Sequence, residues 1–415
     1  MIGSGVLLSA GFMAQSLSAG WILFAWIIGA AIAAIGALAY AELARLIPQS
    51  GGEYRYLSNL VHPLLGFLAG WASLLLGFAA PVAINALAAI AYADTIAPIG
   101  NHRVAAAGLI AAITCAHAFD LSASRWVQDI LAAAKLLAIG GLVALGLILG
   151  QRSWPEWSPP ESDGFTMAAF VTGLFFVSFA FSGWNSAVYA SAEFKKPNRD
   201  VPRSMLIGTA IVGVLYLLIN WVFVANIEPE SAAVVTGRDT YITLAHVVAG
   251  ELLGSAGATA MSGLVVLAFV SAMSAIALLG PRVYAEMADD GMLPKFFAYR
   301  GERPPVGSVL FQGALAIAIL LAHSLHEALF NASAVLLLFS ALSSAALLRI
   351  AFSASMRAKF GAVKPLAVFA AAAYSGLAVA MLIYGFHNQP SLVVWIALVA
   401  AVGTAGYYAQ RWRRK

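Results

Sequence analysis

Apolar residues run along this chain in long blocks rather than alternating with polar ones, which favours helices over strands. The blocks cover residues 2–17, 21–44, 64–94, 103–119, 126–149, 165–192, 204–226, 254–287, 306–322, 328–349, 365–386 and 391–409. A helix needs about 20 apolar residues to cross a bilayer. The blocks therefore predict about twelve membrane-spanning helices, of which the first is unusually short. Nothing between them is long enough to form a soluble domain, so residues 1–415 read as one transmembrane domain.

Composition agrees with that pattern. The chain has 415 residues, 61% hydrophobic and 10% charged, with a mean hydropathy of +0.86, outside the range of soluble domains. The formal net charge of +4 matters less than where the basic residues lie. If the second block ends in the cytoplasm, all 23 Lys and Arg residues except Arg103, Arg152, Arg238 and Lys135 fall on the cytoplasmic side. A bias of that size sets orientation and places the C-terminus in the cytoplasm. The basic tail RWRRK then anchors the last helix at the anionic leaflet, and no nucleic-acid partner is implied. Cys115 is the only cysteine, so a disulfide, a zinc cluster and a thiol pair within the chain are excluded. It lies in an apolar run and is expected to be an inert buried thiol.

Two connections on the other side stand out. QRSWPEWSPPESDG at 151–164 reads as an extended cap with aromatic residues at the interface. Residues 227–254 carry Tyr241, Leu244 and Val248 at helical spacing, which predicts short helices over an outer vestibule.

Helix-breaking residues interrupt two blocks five helices apart: Gly3-Ser4-Gly5 in the first and Ser182-Gly183 in the sixth. Corresponding breaks of this kind point to a transporter built from inverted repeats. An unwound segment in lipid leaves costly unpaired NH and carbonyl groups unless they line a cavity or meet a ligand. The first break offers NH groups at a helix start, where the dipole favours an anion. The second offers carbonyls at a helix end. Carbonyls opposite NH groups make a site for a zwitterion.

The stretches GALAYAELARLIPQSGGEYRYL at 36–57, IGSG at 2–5, FAFSGWN with EFKKPNRDVPRS at 179–204, and GPRVYAEMADDGMLP at 280–294 resemble the amino acid-polyamine-organocation superfamily of permeases. GWN, together with VQDILAAAKLLA around Lys135, is most similar to L-type amino acid transporters and their bacterial relatives. The resemblance implies a LeuT-like bundle of two inverted five-helix repeats, 1–150 and 165–350, with two additional helices at 365–410 and alternating access around a central site. It implies that Ser4 and Gly5 bind a substrate carboxylate through NH groups, with Met1, Ile2 and Gly3 on the carbonyl side of that break. It further implies that Phe179, Ala180 and Ser182 receive an ammonium group through carbonyl oxygens. Phe181, Gly183 and Asn185 complete the second break, and Trp184 lines a side-chain pocket or gate.

Lys135 is the basic residue placed inside a helix, where such residues are expensive. By resemblance it occupies the place of the sodium ion in sodium-coupled relatives, which predicts transport without sodium; the alternative is snorkelling to an interface. Glu42 and Glu193 lie where the second and sixth helices leave the membrane. They form either a gate of ion pairs with Arg45, Arg199 or Arg203, or solvated interface charge. The usual two consecutive acidic residues of relatives are here Ala192-Glu193. Pro81 and Asn85 read as a kink and its satisfied partner, and Tyr284 and Arg282 as gate or packing elements. Of the seven histidines, His117 is the best placed for a proton relay.

These features predict a secondary carrier of amino acids, neutral ones because the break regions hold no Asp or Glu. The alternative on the same fold is an amine or polyamine carrier, or an exporter. Paired acids, a nucleophile with its base and a glycine-rich phosphate loop are all missing from the apolar blocks, so neither an enzyme nor a primary pump is expected, and no cofactor or metal. Paired broken helices suit occlusion better than a continuous pore. The expected partners are the substrate and membrane lipid, with any accessory subunit undetermined, and the expected location is a bacterial inner membrane. MIGSG has no basic n-region or adequate apolar h-region for a signal peptide. It is expected to be the middle of a first helix whose inner half precedes an internal methionine.

Overall fold

Long apolar runs capped by polar or Pro residues become helices throughout the computed structural model, which describes residues 3–119, 125–158, 164–227, 244–299 and 305–412. Among these residues the regular structure is helical. The short first helix α1, Ser4–Ala14, has 11 residues, and α2, Ala19–Leu46, has 28. At 1.5 Å per residue α2 is about 42 Å long, enough to cross a hydrocarbon core of about 30 Å. Its last turn carries Arg45, which suits the negative end of the helix dipole.

A short helix that the apolar blocks did not predict, α3 at Glu53–Leu60, follows the Gly51-Gly52 turn. Gly52 has φ 54° there, and a Cβ on it would meet the Tyr189 ring at 2.4 Å, so only glycine fits the turn. Helix α4 runs from Pro63 to Asp94. Proline at the first position costs no hydrogen bond, and the His62 side chain accepts from the Leu64 NH. Ahead of Pro81, α4 widens into a π-helical stretch at Ser73–Ala79, which makes room for a ring that cannot donate to the helix ladder.

Helices α5, His102–Ala118, and α6, Arg125–Leu149, complete the first half of the chain. The sixth block divides as expected from its break. Helix α7, Met167–Ala180, stops at Phe181, and the chain resumes as a 3-10 helix at Ser186–Glu193 rather than an α-helix. Then come α8, Pro197–Ala225, and α9, Leu244–Asp289. Helix α9 bends at Gly254, whose φ of 71° is left-handed. The arm before the bend buries Leu244 and Val248 as their spacing predicted, whereas Tyr241 and Arg238 lie outside the described residues.

The remaining helices are α10, Val306–Ala322; α11, Leu325–Phe352; α12, Ala354–Phe360; α13, Pro365–Asn388; and α14, Pro390–Trp412. Among the described residues seven helices are long and apolar enough to cross a membrane, and α1, α7, α10 and the end of α6 are shorter apolar helices. With α5 these match the twelve blocks in order.

Helix α2 packs along α8, α9 against α4, α11 against α13, and α1 against α7. Trp26, Tyr40, Phe175, Tyr216 and Phe269 fill the interior. The outside carries exposed Ile27, Ile207, Phe369 and Ile383, an apolar exterior that suits lipid contact. Cys115 is also exposed there, which corrects the expected buried thiol: the apolar run around it faces outward from α5.

Candidate functional site

The start of α1 meets the end of α7, where the sixth segment breaks. A Cβ on Gly5 would lie 2.4 Å from the Ala180 Cα, so the glycine lets α1 and α7 approach backbone to backbone. Ser9 fastens the contact from above, its hydroxyl donating to the Gly5 carbonyl at 2.6 Å and lying 3.1 Å from that of Phe176. Helix α1 has no side-chain cap of its own. Its first NH, that of Ser4, donates to Asn85 Oδ1 at 3.1 Å, while Asn85 Nδ2 donates to the Pro81 carbonyl at 2.6 Å. Asn85 is thus the satisfied partner of the proline kink, and it also reaches the first break, which the sequence did not suggest. The Ser4 hydroxyl is buried without a hydrogen-bond partner.

On the opposite side, the Ala180 carbonyl accepts from the Tyr216 hydroxyl of α8 at 3.2 Å. The Phe179 carbonyl accepts from the Ser182 NH at 2.8 Å. Each carbonyl keeps a second lone pair. Gly183, with φ 89°, turns the chain so that Trp184 points back toward the bundle. There the Trp184 ring packs edge-on to Tyr40 at 4.7 Å and to Tyr374 at 6.1 Å.

A cavity of about 520 Å3 joins these groups. Gly3, Ser4, Gly5, Phe179, Phe181, Ser182, Gly183, Trp184 and Asn185 line it, and so does Lys135 from α6. Ala180 abuts Gly5 at its edge. Met1 and Ile2 lie outside the described residues. The walls that sequence reasoning did not supply come from α4, α9 and α11, through Phe78, Ile276 and Ser340 among others. No ion pair involves Lys135 among the described residues.

One end of the cavity is closed by α3. Glu53, 4% exposed, lines the cavity and accepts from Asn185 Nδ2 at 2.6 Å and from the Tyr40 hydroxyl at 2.9 Å, both at Oε1. The break regions themselves hold no acid, as read, but the cavity they share does. Next to it, Arg55 pairs with Glu286 at 2.9 Å and Asp290 at 2.6 Å at the end of α9. Burial and the Asp290 carboxylate hold the Tyr54 phenol well above its ordinary range, as a neutral donor to Asp290 at 2.5 Å. The Ser50 hydroxyl accepts from the Ala192 NH at 3.0 Å. Helix α3 is therefore pinned both to α9 and to the second half of the broken segment.

The expected gate residues separate into different contacts. Glu42 does pair with Arg45, in a two-pronged bond at 2.9 and 2.7 Å, and it also accepts from the Lys364 NH at 2.9 Å. It ties the end of α2 to the loop before α13, not to the sixth helix. Glu193 pairs with Arg282 of α9 at 3.2 Å. Arg199 faces its neighbour Asp200 at 3.4 Å, and no ion pair joins Arg199 or Arg203 to either glutamate among the described residues. Arg199 lies in the first turn of α8 beside Asp200, and the position next to Glu193 is taken by Arg282 of α9.

The start of α1 thus abuts the end of α7 across a shared cavity, inside a bundle whose described regular structure is helical and whose exterior is apolar. The amino acid permease family model matches residues 1–402, and the chain belongs to that family, within the amino acid-polyamine-organocation superfamily. It is 30% identical to the human Asc-type amino acid transporter 1 over 242 residues, 55% of this chain and 46% of that protein. It is 30% identical over 246 residues to the mouse large neutral amino acids transporter small subunit 2, covering 55% of this chain and 46% of that one. A third relative is the mouse b(0,+)-type amino acid transporter 1, 31% identical over 242 residues, 55% and 49% of the two chains. The chain spans about half the length of the curated relatives it matches.

Proposed function

We propose that this chain is a sodium-independent secondary carrier of neutral amino acids that works by alternating access in a cytoplasmic membrane. The observation that carries the reading is the contact of the two breaks across one cavity. A helix start with a buried, unpartnered serine hydroxyl faces a helix end with carbonyls. The α-carboxylate and α-ammonium of an amino acid fit that pair of ends. The lining near them is mainly apolar and aromatic, with Phe179, Trp184, Ile276 and Leu337. The acid it does contain, Glu53, spends Oε1 on Asn185 and Tyr40 and offers little surface to a cationic side chain. Lys135 places a basic side chain on the cavity wall, in the role a coupling cation would otherwise fill. The printed names of the relatives, amino acid transporters in each case, support the substrate class. The basic-residue bias supports a cytoplasmic α3 face. Residues 1–150 and 165–350 form the two repeats of this scheme, with 365–410 outside them.

Counterflow in proteoliposomes tests the reading. Labelled leucine, methionine and alanine should exchange, arginine and putrescine should not, and replacing sodium with potassium should change nothing. Lys135→Ala should impair exchange; a mutant with full uptake would remove the lysine from the mechanism.

A further inference from the structure

The cap ahead of α7 is fastened to the bundle by its tryptophans. Trp157 donates from its indole Nε1 to the Val224 carbonyl at the end of α8 at 2.9 Å, and its carbonyl accepts from the Ala19 NH at the start of α2 at 3.2 Å. Trp154 leans on Gly20, where a Cβ would meet its indole at 3.5 Å, and packs on Trp221 of α8 with ring centres 5.8 Å apart. From α2, Trp21 and Phe24 stand edge-on to each other at 5.8 Å. Trp21 packs on Phe165 at 4.2 Å and Phe24 on Phe170 of α7 at 5.8 Å. Trp21, Phe24, Trp154 and Trp157 line a second cavity, of about 510 Å3. Glu156 lines it too, and no ion pair involves Glu156 among the described residues. Trp21, Phe24 and Trp154 stay 38%, 44% and 59% exposed, a large apolar area for rings fixed on both sides of one hollow.

Aromatic faces are negative and attract a cation, indole most strongly. A hollow walled by indoles, with one acid that has no cation of its own, therefore selects an ammonium group. What carries the ammonium follows from the way the hollow continues. Trp21 and Phe24 begin a stripe of exposed residues that runs along α2 through Ile27, Ala31 and Ala34 at helical spacing. Helix α2 packs against α8 and α13, and this stripe is the face they leave uncovered. It is apolar throughout and narrows to two alanines, a shallow track for an acyl chain that a soluble amine would not use. We propose that this cavity binds the head group of a phospholipid that ends in an ammonium, phosphatidylethanolamine, with one chain lying along Ile27, Ala31 and Ala34. Single tryptophans at head-group depth are ordinary in membrane proteins. Here three converge with a phenylalanine on one acid, which gives the contact a chemical preference. The proposal needs only that the bundle sits in a membrane and does not depend on what the central cavity carries.

Native mass spectrometry of the purified full chain, titrated in detergent with dioleoyl phosphatidylethanolamine or dioleoyl phosphatidylglycerol, reads the lipid retained. An aromatic–ammonium contact at an exposed site is worth about two- to fivefold in affinity. The wild type should therefore hold phosphatidylethanolamine at least about threefold more tightly than phosphatidylglycerol, whose head group has no cation. Trp154→Ala and Glu156→Gln, both at exposed positions, should melt like wild type. Each should lower retention of phosphatidylethanolamine by about two- to fivefold and leave phosphatidylglycerol unchanged. Phe369→Ala removes an exposed ring of α13 outside the cavity and should keep the wild-type preference. Equal retention of the two lipids by the wild type, or a preference that survives both cavity substitutions, overturns the proposal. Variants that lose both lipids equally also overturn it, because the cavity would then hold chains and not an ammonium. Glycerophosphoethanolamine, the same head group without chains, should compete poorly; competition at the concentration of the lipid itself would assign the site to a soluble amine and reject the lipid. None of these readouts uses transport, so failure of amino acid exchange would reject the carrier reading and leave them unmoved.

Discussion

Gly5→Ala adds one methyl group at the point where the broken helices touch. That carbon would stand 2.4 Å from the Ala180 Cα and 3.0 Å from both the Ala180 nitrogen and Cβ. Contacts under 3 Å with backbone cannot be relieved by a rotamer change, so α1 and α7 must separate. Overpacking of this kind costs about 1–3 kcal/mol. Gly11 lies two turns along the same helix and provides the matching control, because a Cβ there meets nothing within 4 Å. In a helix interior, Gly→Ala without a clash stabilises by about 0.5–1 kcal/mol. The same substitution in the same helix should therefore have opposite signs, with a difference of about 1.5–4 kcal/mol. Thermal melts of purified protein in detergent read the stability. A binding isotherm with labelled substrate reads the site, where 1.4 kcal/mol is about tenfold in Kd. Gly5→Ala should melt below wild type and bind at least several-fold more weakly; Gly11→Ala should melt at or above wild type and bind normally. If Gly5→Ala matches wild type in both measurements, the close approach of the two breaks is not what builds the site.

Two further expectations concern the α3 face. Arg55→Ala removes both ion pairs to α9, each between groups about a quarter to a third exposed, so it should cost no more than about 1 kcal/mol in stability. It should nonetheless raise the rate at which a thiol placed at Asn59, in a Cys115→Ser background, is alkylated by a membrane-impermeant reagent. An unchanged labelling rate would show that the pairs do not hold α3 closed. Glu42→Ala leaves Arg45 and the Lys364 NH without their shared acceptor and should lower stability by about 2 kcal/mol. The melt should shift while substrate affinity stays put, and a change of affinity at unchanged stability would return Glu42 to the gate.

Much of the fold was legible because lipid imposes one rule on every span, and the apolar blocks obey it. The break in the sixth segment was legible for the same reason: Ser182-Gly183 violates that rule where nothing local repays it. The π-helical stretch was not legible, since SLLLGFA reads as ordinary α-helix. Nor was α3, whose residues are polar enough to pass for a loop. Its importance arises from what covers it: Glu53 is bonded by Tyr40 of α2 and by Asn185, 132 residues away in sequence. The pairing of Glu193 failed on direction. Arg199 is six residues away and Arg282 is on another helix, yet only Arg282 faces it. Periodicity finds surfaces that touch lipid or core; it does not say which charges on separate elements will face each other.

In the proposed carrier, the amide of Asn85 sets the terms on which α1 would accept an anion. Its oxygen already holds the Ser4 NH at 3.1 Å, so a carboxylate arriving there competes with a neutral group tethered to the proline kink of α4. Arrival is then a substitution of one acceptor for another, and its net gain is the difference between a charged and a neutral hydrogen bond, about 1 kcal/mol. A carboxylate that displaces the amide also cuts the cord between α1 and α4, and those helices become free to part company at the moment the cargo is seated.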